Sequence, residues 1–155
     1  MTTETHRYRF SASHRLHVPS LSETENNQLF GKCNNPFGHG HDYILSVTVG
    51  GEIDAQTGLI IRAAVLDELV RTHVLSLVSH RNLNRDVAHF REIVPTTENL
   101  ASFIAGLLER AWPPELEARL ARVHVQETDR NGFEVLVGVH RRRPVSNPET
   151  IVIHA

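Results

Sequence analysis

Apolar and polar residues alternate in two segments near the start of the chain, which is the pattern of half-buried β-strands. In residues 6–16, the residues of one parity are mainly apolar and end in a histidine: Tyr8, Phe10, Ala12 and His14. In residues 39–49, the corresponding set is His39, His41, Tyr43, Leu45, Val47 and Val49. The stretch between them, residues 17–37, holds Pro, Ser, Asn and Gly with few apolar residues and predicts a long loop.

Two segments in the middle of the chain have the three-four apolar spacing of amphipathic helices. In residues 62–78, the apolar positions are Leu66, Leu69, Val70, Val74 and Leu77. A second helix is predicted to open at Thr96-Thr97-Glu98, where a threonine suits the N-cap and Glu98 favours the positive end of the helix. Its apolar stripe is Leu100, Phe103, Ile104, Leu107, Leu108 and Ala111, and Pro113-Pro114 ends it. Residues 79–95 predict irregular structure.

The C-terminal part predicts two paired strands, 120–128 and 133–139, around the hairpin turn Asp129-Arg130-Asn131-Gly132. The predicted element order is therefore ββααββ, which indicates an α+β fold with a four-stranded antiparallel sheet and two helices on one face. No linker or internal repeat divides the chain, so residues 1–155 predict a single domain with its core at about 6–139. The arginine-rich residues 140–155 are interpreted as a C-terminal extension.

Composition narrows the class of protein. The net charge of -2 gives no electrostatic reason to expect nucleic acid or a membrane as a partner. One cysteine cannot form an internal disulfide, and the sequence shows neither a long apolar run nor a signal peptide. These features favour a soluble cytoplasmic protein.

Three of the 11 histidines predict a metal site. His39 and His41 point to the same face of a strand because side chains alternate, and His14 has the matching parity on another strand. Three imidazole ligands leave a coordination position open, which is the pattern of catalytic zinc, although iron and nickel also accept such ligands. The alternative is a set of hydrogen-bonded core histidines.

Three further residues have open interpretations. Cys33 is a buried small side chain, a fourth metal ligand, or a thiolate base whose pKa is lowered by a metal ion or by Lys32; the polar surroundings favour the base. His80 either caps the preceding helix or carries protons. Glu127 shares parity with two strand valines, and a carboxylate on a buried face needs an internal arginine or the donors of a ligand.

These residues together resemble the 6-pyruvoyl-tetrahydropterin synthase family. The resemblance runs from about Tyr8 to about Val139 in separate blocks that occur in the family's order. The blocks are Phe10 to Leu16, Leu29 to Pro36 and on through His41-Asp42-Tyr43, Gly51 to Asp54, His80 to Asn84, Val94 to Leu100, and Glu127 to Asp129.

The resemblance implies the tunnelling fold, in which subunits close a barrel of strands, two trimeric rings stack into a hexamer, and active sites lie between subunits. It implies that His14, His39 and His41 bind Zn²⁺, that Cys33 is the base and His80 part of the proton relay. It also implies that Glu127 anchors the pterin and that Thr96 and Thr97 lie near it. The implied reaction converts 7,8-dihydroneopterin triphosphate into 6-pyruvoyl-tetrahydropterin and triphosphate, a lyase reaction without a redox cofactor.

The five residues between Cys33 and His39 resemble the pyruvoyl-forming synthases more than the 6-carboxy-tetrahydropterin synthases, whose spacing is shorter. A paralogue that forms 6-carboxy-tetrahydropterin or 6-hydroxymethyl-dihydropterin, a pterin-binding oligomer with weak catalysis, and a structural Cys-His₃ zinc domain are the alternatives.

Two positions depart from the family pattern. Ser79 stands where an aspartate usually precedes the relay histidine, so either His80 is a weaker proton carrier or another carboxylate, such as Asp86, replaces the missing one. The family tends to have Asn or Asp at the position of Arg62 and Asp at the position of Val65. The start of the helix has therefore lost a capping side chain.

Overall fold

A five-stranded sheet is the centre of the fold in the computed structural model, which describes residues 2–138. The spatial order of the strands is β3-β1-β2-β4-β5. Four strands form an antiparallel series: β1 (Thr2–His14), β2 (His39–Gly51), β4 (Arg119–Thr128) and β5 (Asn131–Leu136). The α+β class is confirmed, with helices packed on the apolar face of the sheet.

The predicted four-stranded sheet is not what the structure shows, because a fifth strand, β3 (Arg81–Asn82), pairs in parallel with β1. A two-residue strand is too short to show an alternating pattern, so its sequence does not predict it. The sheet is thus mixed, and its element order is more complex than ββααββ.

The register between β1 and β2 brings the ends of the two apolar faces together. His14 lies directly opposite His39, and Ala12 lies opposite His41. The alternation predicted for both strands is confirmed: the residues that share parity with these histidines include the buried Phe10, Tyr43 and Leu45. The histidines are therefore placed at one end of the hydrophobic core.

The predicted loop 17–37 contains a helix, so the prediction is wrong there. Helix α1 (Glu23–Phe30) begins with a capping box in which Ser22 and Glu25 bond each other's backbone N–H, and a 3₁₀ turn (Gly31–Asn34) follows. This helix buries only Asn26, whose side-chain amide donates to backbone carbonyls of residues 18, 21 and 22. A helix that buries an amide rather than an apolar stripe has no hydrophobic period to detect.

The helix predicted over 62–78 is interrupted. Helix α2 (Ala63–Val70) runs into a π-helical segment (Arg71–Leu75) and then a last turn, α3 (Ser76–Val78). A π turn adds one residue and rotates everything after it. Leu77, expected on the apolar stripe, is consequently 44% exposed, whereas Val78 is fully buried.

Residues 79–95 contain β3, the short helix α4 (Leu83–Asp86) and a 3₁₀ turn (Ala88–Arg91). Helix α5 (Thr97–Ala111) has the predicted bounds, and the Thr96 hydroxyl accepts the backbone N–H of Asn99 as an N-cap. Strand β5 begins two residues earlier than predicted, at Asn131, and the expected extension 140–155 lies outside the described residues. Within the described part, no helix combines the length and apolarity that crossing a membrane requires.

Candidate active site

Three imidazoles converge at the end of the core, as their positions on β1 and β2 predict. The Nε2 atom of His39 lies 3.2 Å from that of His14 and 3.1 Å from that of His41. His14 is completely buried, and the other two rings are partly exposed. One ligand atom from each, together with the thiol of Cys33, falls within a group whose members are all within 4.8 Å of one another.

The surroundings of His14 fix which nitrogen is free. Its Nδ1 lies 3.0 Å from the carbonyl oxygen of Pro95, which can only accept, so Nδ1–H is the donor. In the neutral ring, Nε2 then carries the lone pair and faces the other imidazoles. Such a backbone carbonyl behind a histidine is the usual support of a metal ligand.

Burial favours the neutral form of two of these rings. It lowers the pKa of His14, an effect that neighbouring histidines add to and that the Pro95 carbonyl and Glu127 oppose. Burial, followed by the charge of His41, also lowers the pKa of His39. Neutral imidazole is the form that binds a metal ion.

The donor set fits a tetrahedral metal ion. Nitrogen ligands about 2.0–2.1 Å from a tetrahedral zinc ion are about 3.3–3.4 Å apart. The observed separations of 3.1 and 3.2 Å are close to this value, so the rings need little rearrangement to hold an ion. Nitrogen and sulfur donors suit Zn²⁺ and several other transition metals, so the cluster could hold a metal ion without specifying which one.

Cys33 reaches the histidines from the 3₁₀ turn after α1. Its carbonyl accepts the backbone N–H of Leu16 at 2.7 Å, which ties this turn to the end of β1. The thiol is partly buried, and its pKa is raised by burial and by the charge of Glu127. The lowering predicted from Lys32 is therefore wrong for the chain without a metal ion.

Glu127, at the end of β4, points its carboxylate toward the same place. Its Oε1 atom lies 3.7 Å from Nε2 of both His14 and His41, and the Tyr43 hydroxyl donates to it at 3.4 Å. Its Oε2 atom accepts from the Asn131 amide at 2.9 Å. No arginine pairs with Glu127 among residues 2–138. Of the two interpretations of this carboxylate, the one that remains is a group that accepts hydrogen bonds from a ligand.

Asn131 was not identified from the sequence, where it reads as an ordinary turn residue. Its amide donates to Glu127 and also to the hydroxyl of Thr97 at 3.1 Å. Thr97 is buried, and the Asn131 amide connects its hydroxyl to the Glu127 carboxylate. The hydroxyl of Thr96 caps α5 instead. The connection between sequence-distant residues is visible only once the hairpin and the helix start are placed together.

Ser79 and His80 lie apart from this cluster. The backbone N–H of His80 donates to the Ser11 carbonyl at 2.7 Å, and both Ser79 and His80 line a cavity with Ser11 and Asp42. Ser11 and Asp42 have the parity opposite to that of His14 and His41, so their side chains belong to the other face of the sheet. Within one chain, the structure does not bring His80 and Cys33 together.

Comparisons with known proteins identify the family. Residues 4–136 match the family described as 6-pyruvoyl tetrahydropterin synthase. The chain is 46% identical over 125 residues to human 6-pyruvoyl tetrahydrobiopterin synthase, which covers 81% of this chain and 84% of the relative. The guppy (Poecilia reticulata) protein of the same name is 44% identical over 122 residues, covering 79% and 81%.

A solved structure extends the similarity to three dimensions. The Caenorhabditis elegans 6-pyruvoyl tetrahydropterin synthase superimposes with a TM-score of 0.79 at 39% identity, covering 87% of this chain and 94% of that one. The resemblance inferred from the sequence blocks and the expectation of a lyase are thereby confirmed. The chain belongs to the 6-pyruvoyl tetrahydropterin synthase family.

Proposed function

We propose that the chain is a zinc-dependent lyase that converts 7,8-dihydroneopterin triphosphate into 6-pyruvoyl-tetrahydropterin and triphosphate. One observation carries the proposal: the Glu127 carboxylate and the imidazoles of His14 and His41 face each other across 3.7 Å. A carboxylate that can accept from a pterin and a set of metal ligands therefore belong to one site. Because the ring lies between its donor edge and its side chain, the Glu127 carboxylate would turn away from the imidazoles to hold a substrate whose side chain reaches the ion. Family membership supports the same reaction.

Glu127 would anchor the pterin. The ring presents an N–H and an adjacent amino group, and a carboxylate accepts both in a two-point hydrogen bond. Each carboxylate oxygen has two lone pairs, so the Asn131 bond leaves acceptor capacity for the ligand. Thr97 would lie behind this anchor because it shares the Asn131 amide, and Thr96 stands beside it at the start of α5.

His14, His39 and His41 would hold the ion. A zinc ion bound there supplies Lewis-acid chemistry, polarising the substrate's side-chain hydroxyls and increasing the acidity of the neighbouring C–H bonds. The Pro95 carbonyl keeps the His14 ring in the orientation that binding requires.

Cys33 would act as the base. Its thiol lies within 4.8 Å of all three ligand nitrogens, close enough to remove a proton from a carbon atom held beside them. Proton movement along the side chain converts its two hydroxyl-bearing carbons into carbonyls and reduces the ring, while the triphosphate leaves with its oxygen. The atoms of the substrate equal those of the two products, so no external oxidant or reductant takes part.

His80 would complete the proton relay from a second copy of the chain. In one chain it faces away from Cys33, on the side of the sheet that carries Asp42. The edge strand β5 exposes Phe133 and Leu136, and a covered edge is expected of a strand with such side chains. An oligomeric barrel, as a trimer or a hexamer made of two trimers, is therefore part of the proposal, as is a location in the cytoplasm.

The identity of the product tests the proposal. The zinc-loaded protein is incubated with 7,8-dihydroneopterin triphosphate, and the pterin product is identified by mass spectrometry. The expected products are 6-pyruvoyl-tetrahydropterin and free triphosphate. A carboxy or hydroxymethyl pterin would instead assign the chain to a paralogous activity, and unchanged substrate would indicate a pterin-binding protein.

A further inference from the structure

The surroundings of His80 contain a carboxylate that sequence spacing does not reveal. His80 lines two neighbouring open cavities of about 460 and 260 Å³, and Asp42 lines both of them. Ser79 lines the smaller one. Asp42 is therefore a carboxylate on the same side of the sheet as Ser79 and His80, which lie in the connection between α3 and β3.

Ser11 connects the two groups. It is the register partner of Asp42 in the pairing of β1 with β2, and its hydroxyl donates to the Asp42 carboxylate at 2.5 Å. Its carbonyl accepts the backbone N–H of His80 at 2.7 Å. One residue of β1 thus fixes the backbone of His80 and the carboxylate of Asp42 at the same point of the sheet.

The backbone of His80 is held in an unusual conformation. Its φ angle of +57° is the only positive φ among the non-glycine residues that the structure describes, and such a conformation costs about 1 kcal/mol or more. The bond to Ser11 stabilises it at the entry to β3. Held in this conformation, His80 lines the cavity that Asp42 also lines.

The carboxylate closest in sequence is engaged elsewhere. Asp86 accepts the backbone N–H of Asn82 at 2.8 Å and lines neither of the two cavities. It therefore supports the start of α4 and does not replace an aspartate at position 79.

Two cations also face these cavities, Arg9 at the smaller and Arg81 at the larger. Neither forms an ion pair with Asp42 in the part of the chain that is described. His80 does not form one with Asp42 either, and the carboxylate accepts only from Ser11 among the described residues. The carboxylate therefore acts on the imidazole through a bridging water or a substrate hydroxyl, for which the smaller cavity has room.

We propose that Asp42 is a positioning residue that supplies the carboxylate partner of His80 and so compensates for serine at position 79. This inference rests on the proposed function, because it assigns a partner to the proposed proton relay. A carboxylate next to a histidine orients the ring and stabilises its charged form during proton transfer. Serine at position 79 can orient the ring by a hydrogen bond but supplies no charge.

Steady-state kinetics of four proteins test the inference: the wild type, Asp42→Asn, Ser79→Asp and the double variant, each with the same metal content. Asp42→Asn is expected to lower kcat about tenfold to a hundredfold, with KM changed less than about twofold, since the partner acts through a proton carrier. Ser79→Asp is expected to restore most of that loss in the double variant and to raise the kcat of the wild type by a smaller factor. Such non-additivity is the signature of two residues that serve one role.

Further variants separate this role from a structural one. Asp42→Glu keeps the charge and should retain more activity than Asp42→Asn, while Ser11→Ala should lose less because it leaves the carboxylate in place. An Asp42→Asn protein with wild-type kcat, or one that Ser79→Asp fails to rescue, overturns the inference. So does loss of metal from Asp42→Asn, since the effect would then act through the adjacent His41.

The wild type distinguishes this failure from that of the proposed function. Turnover by the wild type together with an unaffected Asp42→Asn variant overturns only the role of Asp42. Absence of turnover by the wild type overturns the proposed function and this inference with it.

Discussion

Gly38 packs directly against the main chain of His14, the buried metal-ligand candidate. A Cβ atom at position 38 would stand 2.6 Å from the carbonyl oxygen of His14, closer than real Cβ contacts allow. Gly38 also has a φ angle of +69°, which is the left-handed region that favours glycine. The turn before His39 therefore requires glycine for two independent reasons, and both concern the geometry of the histidine cluster.

Gly38→Ala should accordingly weaken both folding and metal binding. Strain of this kind costs about 1–3 kcal/mol, and the clash with the His14 carbonyl adds to it by displacing β1 or the turn. Chemical denaturation and zinc titration measure the two effects. Gly58→Ala is the matched control, because Gly58 has a φ of +72° but open space around the added Cβ. Equal losses in both variants would refute the close approach as the cause.

Replacement of Glu127 by glutamine should weaken pterin binding. Loss of a charge-assisted, two-point hydrogen bond costs about 1.5–3 kcal/mol, which is about a tenfold to a hundredfold rise in Kd. Asn131→Ala should have a smaller effect in the same direction, since it only releases the carboxylate from one of its supports. Fluorescence titration with a dihydropterin measures both affinities. Glu134→Gln, at an exposed position of β5, serves as the control, and equal affinity of Glu127→Gln and this control would contradict the anchor.

The metal-free protein should lose stability in mild acid. Burial lowers the pKa of His14 and of His39 in the folded state, whereas the unfolded chain protonates near the ordinary value of 6.5. Below about pH 6.5 the unfolded state therefore binds more protons, and stability falls as the pH drops toward the lowered folded pKa values. Thermal unfolding between about pH 7.5 and pH 5 measures this slope, and His39→Gln should make it shallower. A constant Tm over that range would contradict the assignment.

Helix α2 should gain stability from a capping side chain. Its N-cap, Arg62, makes no side-chain hydrogen bond to the helix and is exposed, in agreement with the expected loss of a cap. Arg62→Ser should stabilise the fold by about 1 kcal/mol without changing turnover. Ser22→Ala, which removes the capping box of α1, should have the opposite sign and a similar size. Urea denaturation measures the free energy of unfolding of both variants. A neutral or destabilising Arg62→Ser would show that the missing cap does not limit the stability of α2.

The parts of the fold that are long and strongly periodic could be predicted from the sequence. The faces of β1 and β2 and the stripe of α5 were identified correctly, because each buries every second or every third to fourth side chain. The matching parity of His14, His39 and His41 predicts that the three histidines converge, and the structure brings them together. The period of the apolar residues in a sequence indicates which face of a strand or helix is buried.

The remaining features depend on contacts that no local pattern records. Helix α1 buries an asparagine, β3 has only two residues, and the π turn after α2 shifts Leu77 to the surface and Val78 to the core. In the site, Asn131 and Asp42 owe their positions to strand register and to hydrogen bonds between distant segments. These relationships arise from tertiary packing, which a window of neighbouring residues does not contain.

An open, catalytic metal centre at His14, His39 and His41 requires a domain that folds without metal, whereas a structural zinc site contributes to folding itself. The most direct test is to remove the metal with a chelator, record circular dichroism and turnover, and then add Zn²⁺ while measuring stoichiometry. The expected result is a folded, inactive apoprotein that regains turnover with about one zinc ion per chain. A Cys33→Ala variant should bind zinc equally well but stay inactive. An apoprotein that unfolds, or a Cys33→Ala variant that loses zinc, would instead indicate a structural Cys-His₃ site and overturn the catalytic one.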